Sequence, residues 1–445
     1  MRPLKSKPAT HSLRNAPMRL AIACFTIGTV ATPLAGQDRV SGAWQGYWTR
    51  AGDTLPVTMN VQLDPRTGRY TAAFTSDRLR VSGIPFAAVQ VKGCCEVKLT
   101  LRGDRTTTIF AGRVQGDSLF GTLQEGTSQG QFAYSRASVA TPSFQEQEVT
   151  FSSGTVTLAG SLLLPSTGES LAAVVFLHGS GGEGRWASRY LAGQLVAHGI
   201  AALIFDKRGV GRSSGDWRQA TPDDLAADGV AAVDRLLREP RIDRHRIGVH
   251  GHSQGGTLAP MVAARSSHVA FVIGSAAAGI PTDSTELFSI MNSVSPAARS
   301  AEDSATAAAY VSELVAVAYH GRGRERLDSL ATLLRDRPWF FAPPPADNPY
   351  WSFSKVFVQY QPLAWWARVR VPVLLLYGAE DQRVPAAESA RRIVAALRSS
   401  GNADVTVRIF PGADHTFRLP PGPSGWPVSA PDYVPSLLEW LTRRR

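Results

Sequence analysis

The chain contains 445 residues, of which 44% are hydrophobic and 19% are charged. This composition excludes an intrinsically disordered chain, and the length allows two or three domains of about 150 residues each. The formal net charge is +11, but five of the 47 basic residues lie in the first 36 positions and the rest are scattered. Scattered charge does not form the basic stripe of a nucleic-acid-binding surface, so we expect no nucleic acid partner.

Residues 1–36 have the pattern of an export signal. A basic region ends at Arg19, an apolar segment covers residues 20–30, and small residues lead to Ala35 and Gly36. This order is typical of a signal peptide that is cleaved near those two residues. A membrane anchor is the alternative, but the apolar segment is shorter than the roughly 18 to 20 residues of a membrane span. We therefore predict an exported protein, periplasmic or secreted, without stable membrane insertion.

Residues 37–140 consist of short alternating runs separated by turn residues. Residues 56–63 alternate in this way before the turn Asp-Pro-Arg-Thr-Gly, and residues 97–101 and 118–123 repeat the pattern. The spacing predicts about eight strands in a small barrel or sandwich. The opening Gly-Ala-Trp at 42–44 resembles the start of lipocalin-like barrels. Such a domain can bind a ligand, orient a substrate or pack on its neighbour, and we favour packing.

Beyond the predicted signal, which contains Cys24, the only cysteines are Cys94 and Cys95. Adjacent cysteines are poorly placed for an unstrained disulfide. We therefore expect two structural residues on a strand, with a strained or redox-active pair as the alternative.

A polar stretch at 141–149 predicts a linker, and the pattern then changes. In residues 150–445 strand-like and helical segments alternate, which is typical of a mostly parallel sheet covered by helices. One helix start is well signalled, because Thr221 precedes a proline and two acidic residues. The segment from residue 273 to residue 371 is too long for a loop and predicts a helical cap at about 280–366. The predicted strands are 155–164, 172–177, 200–205, 246–250, 269–273, 371–377 and 405–410.

The candidate nucleophile is Ser253, in the sequence Gly-His-Ser-Gln-Gly at 251–255. This matches the G-x-S-x-G motif and lies between a predicted strand and a predicted helix, as the motif requires. A serine on such a sharp turn projects away from the sheet, and the flanking glycines permit the cramped backbone. The following helix directs its positive N-terminus at the site.

Two further residues complete a candidate triad in the chain order Ser, Asp, His. Asp381 and His415 each follow the C-terminal end of a predicted strand, which is where open α/β sheets place their sites. His415 would accept the Ser253 proton, and Asp381 would orient the imidazole. Glu380 and Asp414 are alternative acids, of which we expect neither to replace Asp381. We expect the following histidines to be packing or loop residues: His198, His245, His250, His252 and His268.

The glycine-rich turn His-Gly-Ser-Gly-Gly at 178–182 follows another predicted strand. Its backbone offers N–H donors, so we predict that the N–H groups of Ser180 and Gln254 form an oxyanion hole. A plain glycine loop or a phosphate cradle is the alternative. The turn lacks the sequence of a P-loop and the glycine spacing of a dinucleotide site, which argues against a nucleotide.

With these motifs, residues 149–445 resemble the α/β-hydrolases, and in particular secreted bacterial carboxylesterases related to prolyl oligopeptidases and serine aminopeptidases. Residues 206–213 match the D-x-R-G-x-G-x-S loop of that group, and residues 258–263 resemble its helix after the nucleophile. The resemblance implies an α/β-hydrolase fold with an eight-stranded sheet, in which Asp206 and Arg208 brace the loop. The sequence Gly-Glu-Gly-Arg-Trp at 182–186 departs from that group, in which polar, acid-containing sequence often follows the glycine-rich turn.

The function predicted is hydrolysis of small carboxylic esters through an acyl-enzyme, with water as the second substrate and with no metal or cofactor. A peptidase or aminopeptidase with the same triad is the first alternative, and it would need carboxylates near the site to hold an amine. The second is a ligand-binding protein in which the β-domain acts and the hydrolase fold is inert. The acidic residues of the predicted cap are Asp283, Glu286, Glu302, Asp303 and Glu313.

The predicted cap is also rich in aromatic residues. We expect most of them to form the core of the cap and two or three to line an apolar pocket. They are Trp339, Phe340, Phe341, Tyr350, Trp351, Phe353, Phe357, Tyr360, Trp365 and Trp366.

Overall fold

A computed structural model describes residues 38–103, 106–138 and 144–444. The predicted signal peptide lies outside the described residues. From Arg39 onward the chain forms one compact unit, which contains two large sheets and one small one. In the described part of the chain, no helix combines the length and the apolar character needed to cross a bilayer.

The first sheet is an antiparallel half-barrel of nine strands in the order β4-β3-β2-β1-β9-β8-β7-β6-β5. Its strands are β1 Gly42–Arg50, β2 Asp53–Asp64, β3 Arg69–Ser76, β4 Val81–Pro85, β5 Ala88–Lys92, β6 Glu96–Arg102, β7 Thr107–Gln115, β8 Ser118–Glu125 and β9 Ser128–Arg136. Strands that follow each other in the sequence are neighbours in the sheet, except that β5 follows β4 but lies at the opposite end of the sheet. β1 pairs with both β2 and β9 and so joins the two halves of the sheet. The sequence predicted about eight strands, and the structure has nine.

Alternation of side chains explains this sheet. In β2 every second residue from Leu55 to Val61 is buried, while the residues between them face solvent. The buried face is rich in aromatic rings, with Trp48 packed between Phe74 and Phe110 at centroid distances of 4.9 and 4.8 Å. Burial of one face against such a core strongly specifies the register of the strands that share it.

The prediction for the two cysteines was wrong. Cys94 and Cys95 lie in the turn between β5 and β6 rather than on a strand, and they form a disulfide with each other. The usual Cα–Cα distances of disulfides, on which the prediction rested, do not describe adjacent cysteines in a turn.

The second sheet has eight strands in the order β10-β11-β13-β12-β14-β15-β16-β17, and it confirms the predicted α/β-hydrolase fold. β10 and β11 are antiparallel to their neighbours, and the remaining pairs are parallel. The strands are β10 Phe144–Ser153, β11 Val156–Pro165, β12 Leu171–Leu177, β13 Ala201–Phe205, β14 Ile242–His252, β15 Val269–Ser275, β16 Val373–Gly378 and β17 Val405–Phe410. Residues 144–149, predicted as part of a linker, belong to β10, the edge strand of this sheet, in which residues 145–148 are exposed.

Helices cover both faces of this sheet. The helices α1 (Trp186–Ala197) and α10 (Tyr433–Thr442) pack on one face, where their buried side chains form a core with β13 and β15. The helices that contribute to the core on the opposite face are α2 (Pro222–Leu236), α3 (Gln254–Arg265) and α9 (Ala386–Ser399). The predicted start of α2 is confirmed, because Thr221 and Asp224 exchange hydrogen bonds between side chain and backbone.

A helical cap is inserted between β15 and β16, as predicted. Its longest helix buries Tyr310 completely, and the Tyr310 hydroxyl donates to the carbonyl oxygen of Phe341. The cap consists of α4 Thr282–Val294, a 3-10 turn Ser295–Ala297, α5 Ala301–His320, α6 Arg324–Leu334, α7 Pro349–Phe357 and α8 Pro362–Trp366.

One loop of the hydrolase part closes the half-barrel. It contains the short strands β18 Arg418–Leu419 and β19 Val428–Ser429, and between them Trp426 enters the aromatic core of the first sheet. The guanidinium of Arg50 lies 4.1 Å from the Trp426 ring, and its Nε donates to the carbonyl oxygen of Ser424. The β-domain therefore shares its core with the chain that follows His415.

Candidate active site

Ser253 lies on a sharp turn between β14 and α3. Its φ is +55°, a left-handed conformation that is costly for a residue with a side chain. The flanking glycines are required by packing, because a Cβ on Gly251 would lie 2.2 Å from the backbone of Gly255, and one on Gly255 would lie 2.7 Å from the carbonyl oxygen of His178. Backbone hydrogen bonds from Ser253 to Ser275 and from Thr257 to Ser253 hold the turn.

The three predicted triad residues come together at the C-terminal edge of the sheet. His415 Nε2 lies 2.9 Å from Ser253 Oγ, and His415 Nδ1 lies 2.8 Å from Asp381 Oδ2. Asp381 Oδ1 also accepts hydrogen bonds from the backbone N–H groups of Arg383 and Val384 at 2.8 and 2.9 Å. Both Asp381 and His415 are buried. The arrangement can move a proton from the hydroxyl to an imidazole whose orientation is fixed.

The alternative acids do not join this chain of hydrogen bonds. Glu380 is exposed, and Asp414 accepts from the backbone N–H groups of Thr416 and Arg418 in its own turn. His252 holds the backbone of His415, because its Nε2–H donates to the carbonyl oxygen of His415 at 2.9 Å. Burial, and then the nearby His415, lower the pKa of His252 to about 4, so it is neutral at ordinary pH.

The glycine-rich turn lies across from the nucleophile. Ser180, Ser253 and Gln254 all line one cavity, and Gln254 is the first residue of α3. Backbone N–H groups in the first turn of a helix have no acceptor within the helix, so the Gln254 N–H is available to a ligand. The turn itself is held by Glu183, which accepts from the Gly179 N–H at 2.7 Å.

Lys207 joins these two segments, and no local sequence pattern indicates this contact. Its Nζ donates to the carbonyl oxygen of Gly179 at 2.6 Å and to Gln254 Oε1 at 3.0 Å. A lysine inside the D-x-R-G motif is ordinarily expected on a solvated loop, but this one is buried.

The neighbouring motif residues brace the loop, as the resemblance implied. Asp206 accepts hydrogen bonds from Arg185 and from the backbone N–H of Arg212. Burial would raise the pKa of Asp206, but these donors outweigh it and hold the pKa below 3.8. Arg208 forms a two-point ion pair with buried Asp228 at 2.8 and 2.7 Å.

The cavity beside Ser253 has a volume of about 580 Å³ and lies between the sheet edge and the cap. Small-molecule sites are commonly of about 300 to 1,000 Å³. Four of the predicted aromatic residues line it, rather than two or three, and most of the others pack within the cap. The four are Tyr350, Phe353, Phe357 and Tyr360.

One acidic residue of the cap also lines the cavity. Glu286 accepts a hydrogen bond from the Tyr350 hydroxyl at 3.3 Å, and burial raises its pKa above 4.5, although Tyr350 and Arg383 oppose the shift. The other candidates are engaged elsewhere or exposed: Asp283 with His320, Asp303 with Arg337, Glu313 with Arg326, and Glu302 in solvent.

The chain is similar to several known proteins. A family model described as serine aminopeptidase, S33, matches residues 168–419, which is more than half of the chain. The quorum-quenching protein AidA of Acinetobacter baumannii is 33% identical over 129 residues, which are 28% of this chain and 42% of that protein. An uncharacterised protein of Pseudomonas aeruginosa is 33% identical over 135 residues, 29% of this chain and 36% of that protein.

The matched region thus spans less than half of the length of these curated relatives. Among solved structures, an esterase of Pyrococcus furiosus is similar with a TM-score of 0.43 and 18% identity, over 69% of this chain and 93% of that one. The family match covers the nucleophile turn, the cap and both loops that carry Asp381 and His415. The chain belongs to the serine aminopeptidase family, S33, of the α/β-hydrolases.

Proposed function

We propose that the protein hydrolyses carboxylic esters through a covalent acyl-enzyme on Ser253. The observation that carries the proposal is the continuous chain of hydrogen bonds from Ser253 Oγ through His415 to Asp381, at the wall of a cavity of about 580 Å³. The cavity walls include Leu258 and Phe353, which suit an apolar acyl or alcohol group.

In the first half of the reaction, His415 Nε2 removes the proton from Ser253 Oγ as the oxygen attacks the carbonyl carbon of the ester. The negative oxygen of the tetrahedral intermediate accepts hydrogen bonds from the N–H groups of Ser180 and Gln254. His415 then donates its proton to the leaving alkoxide, and the alcohol departs.

In the second half, water replaces the alcohol and gives a proton to His415 while its oxygen attacks the acyl carbon. Collapse of the second tetrahedral intermediate breaks the bond to Ser253, and His415 returns the proton to Oγ. The carboxylic acid leaves and the site is restored. Asp381 stabilises the imidazolium in both halves because its carboxylate faces Nδ1.

The test is hydrolysis of p-nitrophenyl esters from acetate to palmitate by the purified protein. Ser253→Ala is expected to lower kcat by at least about 10⁴-fold, because the covalent route is lost. Ser266→Ala is the matched control, since Ser266 lies at the far end of the same helix. Wild-type turnover that persists in Ser253→Ala would refute the proposal.

A second candidate activity is removal of an N-terminal residue from a peptide, and Glu286 favours it. Its carboxylate lines the cavity and would attract a substrate ammonium group. Aminoacyl p-nitroanilides with a free amine should then be cleaved faster than their N-acetylated counterparts. Glu286→Gln should raise KM for the free amines and leave the acetylated substrates unchanged, whereas equal effects on both would remove this candidate.

We also propose that the protein is exported, on the basis of the basic, apolar and small residues in 1–36. N-terminal sequencing of the protein recovered from the periplasm or medium should begin near Gln37. Recovery of the uncut chain in the cytoplasm would contradict export.

A further inference from the structure

Lys207 is the most completely buried cation close to the candidate site, with 2% of its surface exposed. A buried ammonium must find acceptors for its three N–H donors. Lys207 Nζ donates to the carbonyl oxygens of Gly179 at 2.6 Å and Gly181 at 3.2 Å, and to Gln254 Oε1 at 3.0 Å. The three acceptors therefore match its three donors.

The geometry of the peptide group makes the first of these bonds important. In a trans peptide the C=O and the N–H point in opposite directions. The carbonyl of Gly179 and the N–H of Ser180 belong to one peptide group, so a carbonyl held by Lys207 directs that N–H to the opposite side. A hydrogen bond to the carbonyl also polarises the peptide and strengthens the N–H as a donor.

The hydrogen bond from Lys207 to Gln254 fixes the second part of the predicted oxyanion hole. Gln254 carries the second N–H predicted for the oxyanion hole, and its side chain is fixed by Lys207. Residues 178–182 have no regular secondary structure, so the turn depends on such contacts for its conformation. One side chain thus connects the glycine-rich turn with the start of α3.

We propose that Lys207 is a positioning residue that sets the oxyanion hole, by fixing the peptide between Gly179 and Ser180 together with Gln254, and by placing a positive charge behind both. This inference rests on the proposed acyl transfer at Ser253. Lys207 does not touch the substrate, and its effect is exerted through the two N–H donors.

The charge of Lys207 depends on its surroundings. Burial lowers its pKa to about 8, while Glu183 in the glycine-rich loop and Asp228 of α2 oppose the shift. His178, at the end of β12, also faces Lys207, and burial and the lysine charge lower the pKa of His178 below 6.5. On the lysine's own segment Asp206 is paired with Arg185, and the Trp217 ring lies 5.2 Å from Nζ. Lys207 therefore loses its charge as the pH rises through about 8.

The experiment compares wild type with Lys207→Met in kcat, KM and the pH profile of kcat. Loss of one well-placed oxyanion donor lowers kcat by about 10²- to 10³-fold, and we expect a loss of about 100-fold with KM changed less than about threefold. The wild type should lose activity above a pH of about 8, and this alkaline limb should be absent from Lys207→Met. Rates of Ser253→Ala are subtracted to remove spontaneous hydrolysis.

Arg185→Met is the matched control, because it removes a cation of the same loop network that contacts neither Gly179 nor Gln254. It should lower the melting temperature, retain kcat and retain the alkaline limb. A Lys207→Met protein that is folded and keeps kcat within about threefold of wild type would overturn the proposal.

If Lys207→Met does not fold, Gln254→Met decides the question. It keeps its backbone N–H but removes one acceptor of Lys207, so the alkaline limb should move to lower pH and kcat should fall. An unchanged limb in Gln254→Met would overturn the proposal.

The rate of phosphonylation of Ser253 by a fluorophosphonate separates this proposal from the proposed function. The reagent needs the nucleophile and the oxyanion hole but no particular ester. If the wild type cleaves no ester but is phosphonylated, and Lys207→Met is phosphonylated about 100-fold more slowly, the ester assignment fails and the role of Lys207 stands. Equal rates in the two proteins would refute the role of Lys207 alone.

Discussion

The two large sheets of this chain bury their residues in different ways. In the half-barrel, β2 buries every second side chain, whereas β16 of the second sheet buries all six of its residues. The antiparallel sheet needs cover on one face only, and its turns are short connections between neighbours. The parallel strands β12 to β16 are covered on both faces, and each of them ends in a loop that leads to a helix.

This difference decides where chemistry can be placed. Parallel strands end at one edge, so residues that are far apart in the sequence, such as Ser253, Asp381 and His415, meet there. Turns of the antiparallel sheet alternate between its two ends, and among the described residues they bring no comparable cluster together. The half-barrel instead packs on the loop that follows His415, because its core contains Trp426 from that loop.

The largest expected effect tests the edge of the second sheet at which the candidate triad lies. Asp381→Asn should lower kcat by about 10⁴-fold, because an amide can donate to Nδ1 and stabilise the wrong tautomer of His415. Steady-state kinetics on the best p-nitrophenyl ester would measure the loss. Glu380→Gln, at the exposed neighbouring position, should leave kcat unchanged, and a comparable loss there would show that the acid of the triad has been misassigned.

Features that depend on local geometry were predictable from the sequence. The G-x-S-x-G turn requires glycine at two positions because a Cβ would collide with the backbone, and this requirement is visible in the sequence. The start of α2 was equally visible, since Thr221 and Asp224 lie at the spacing of a capping box. The positions of Asp381 and His415 followed from the strands that precede them.

Features that depend on distant partners were not predictable. Trp426 lies in a stretch rich in proline and glycine without periodicity, yet it packs against Trp48, far away in the sequence. Glu286 could not be distinguished from the other acids of the cap, because only the folded chain brings it to the cavity. No local pattern singled out Lys207, since its three acceptors come from two other segments.

A smaller effect is expected at the contact between the half-barrel and the loop that follows His415. Trp426→Ala should lower the free energy of unfolding by about 3 kcal/mol, because it leaves a cavity beside Trp48 and removes the ring on which Arg50 lies. Denaturant unfolding measures this change. The kcat of the folded protein should stay close to that of wild type, because His415 is held by Asp381 and His252 rather than by Trp426.

The control for Trp426→Ala is Val428→Ala, since Val428 is an exposed residue of the same loop. Its unfolding curve should match that of wild type. A Trp426→Ala protein with full stability would mean that the half-barrel does not depend on the loop, and a loss of kcat at full stability would mean that the loop positions His415.

The smallest effect is expected at the edge of the half-barrel, where Cys94 and Cys95 join in the turn before β6. In the chain-entropy account the stabilisation by a disulfide grows with the logarithm of the number of residues in the loop that it closes. Adjacent cysteines close the shortest possible loop. Reduction should therefore lower the free energy of unfolding by less than about 1 kcal/mol. Thermal unfolding with and without dithiothreitol measures the change, and a Cys94→Ser, Cys95→Ser double variant should not respond to the reductant. A loss as large as that expected for Trp426→Ala would instead show that this turn holds β5 on the sheet, so that the half-barrel is stabilised at its open edge as well as by its shared core.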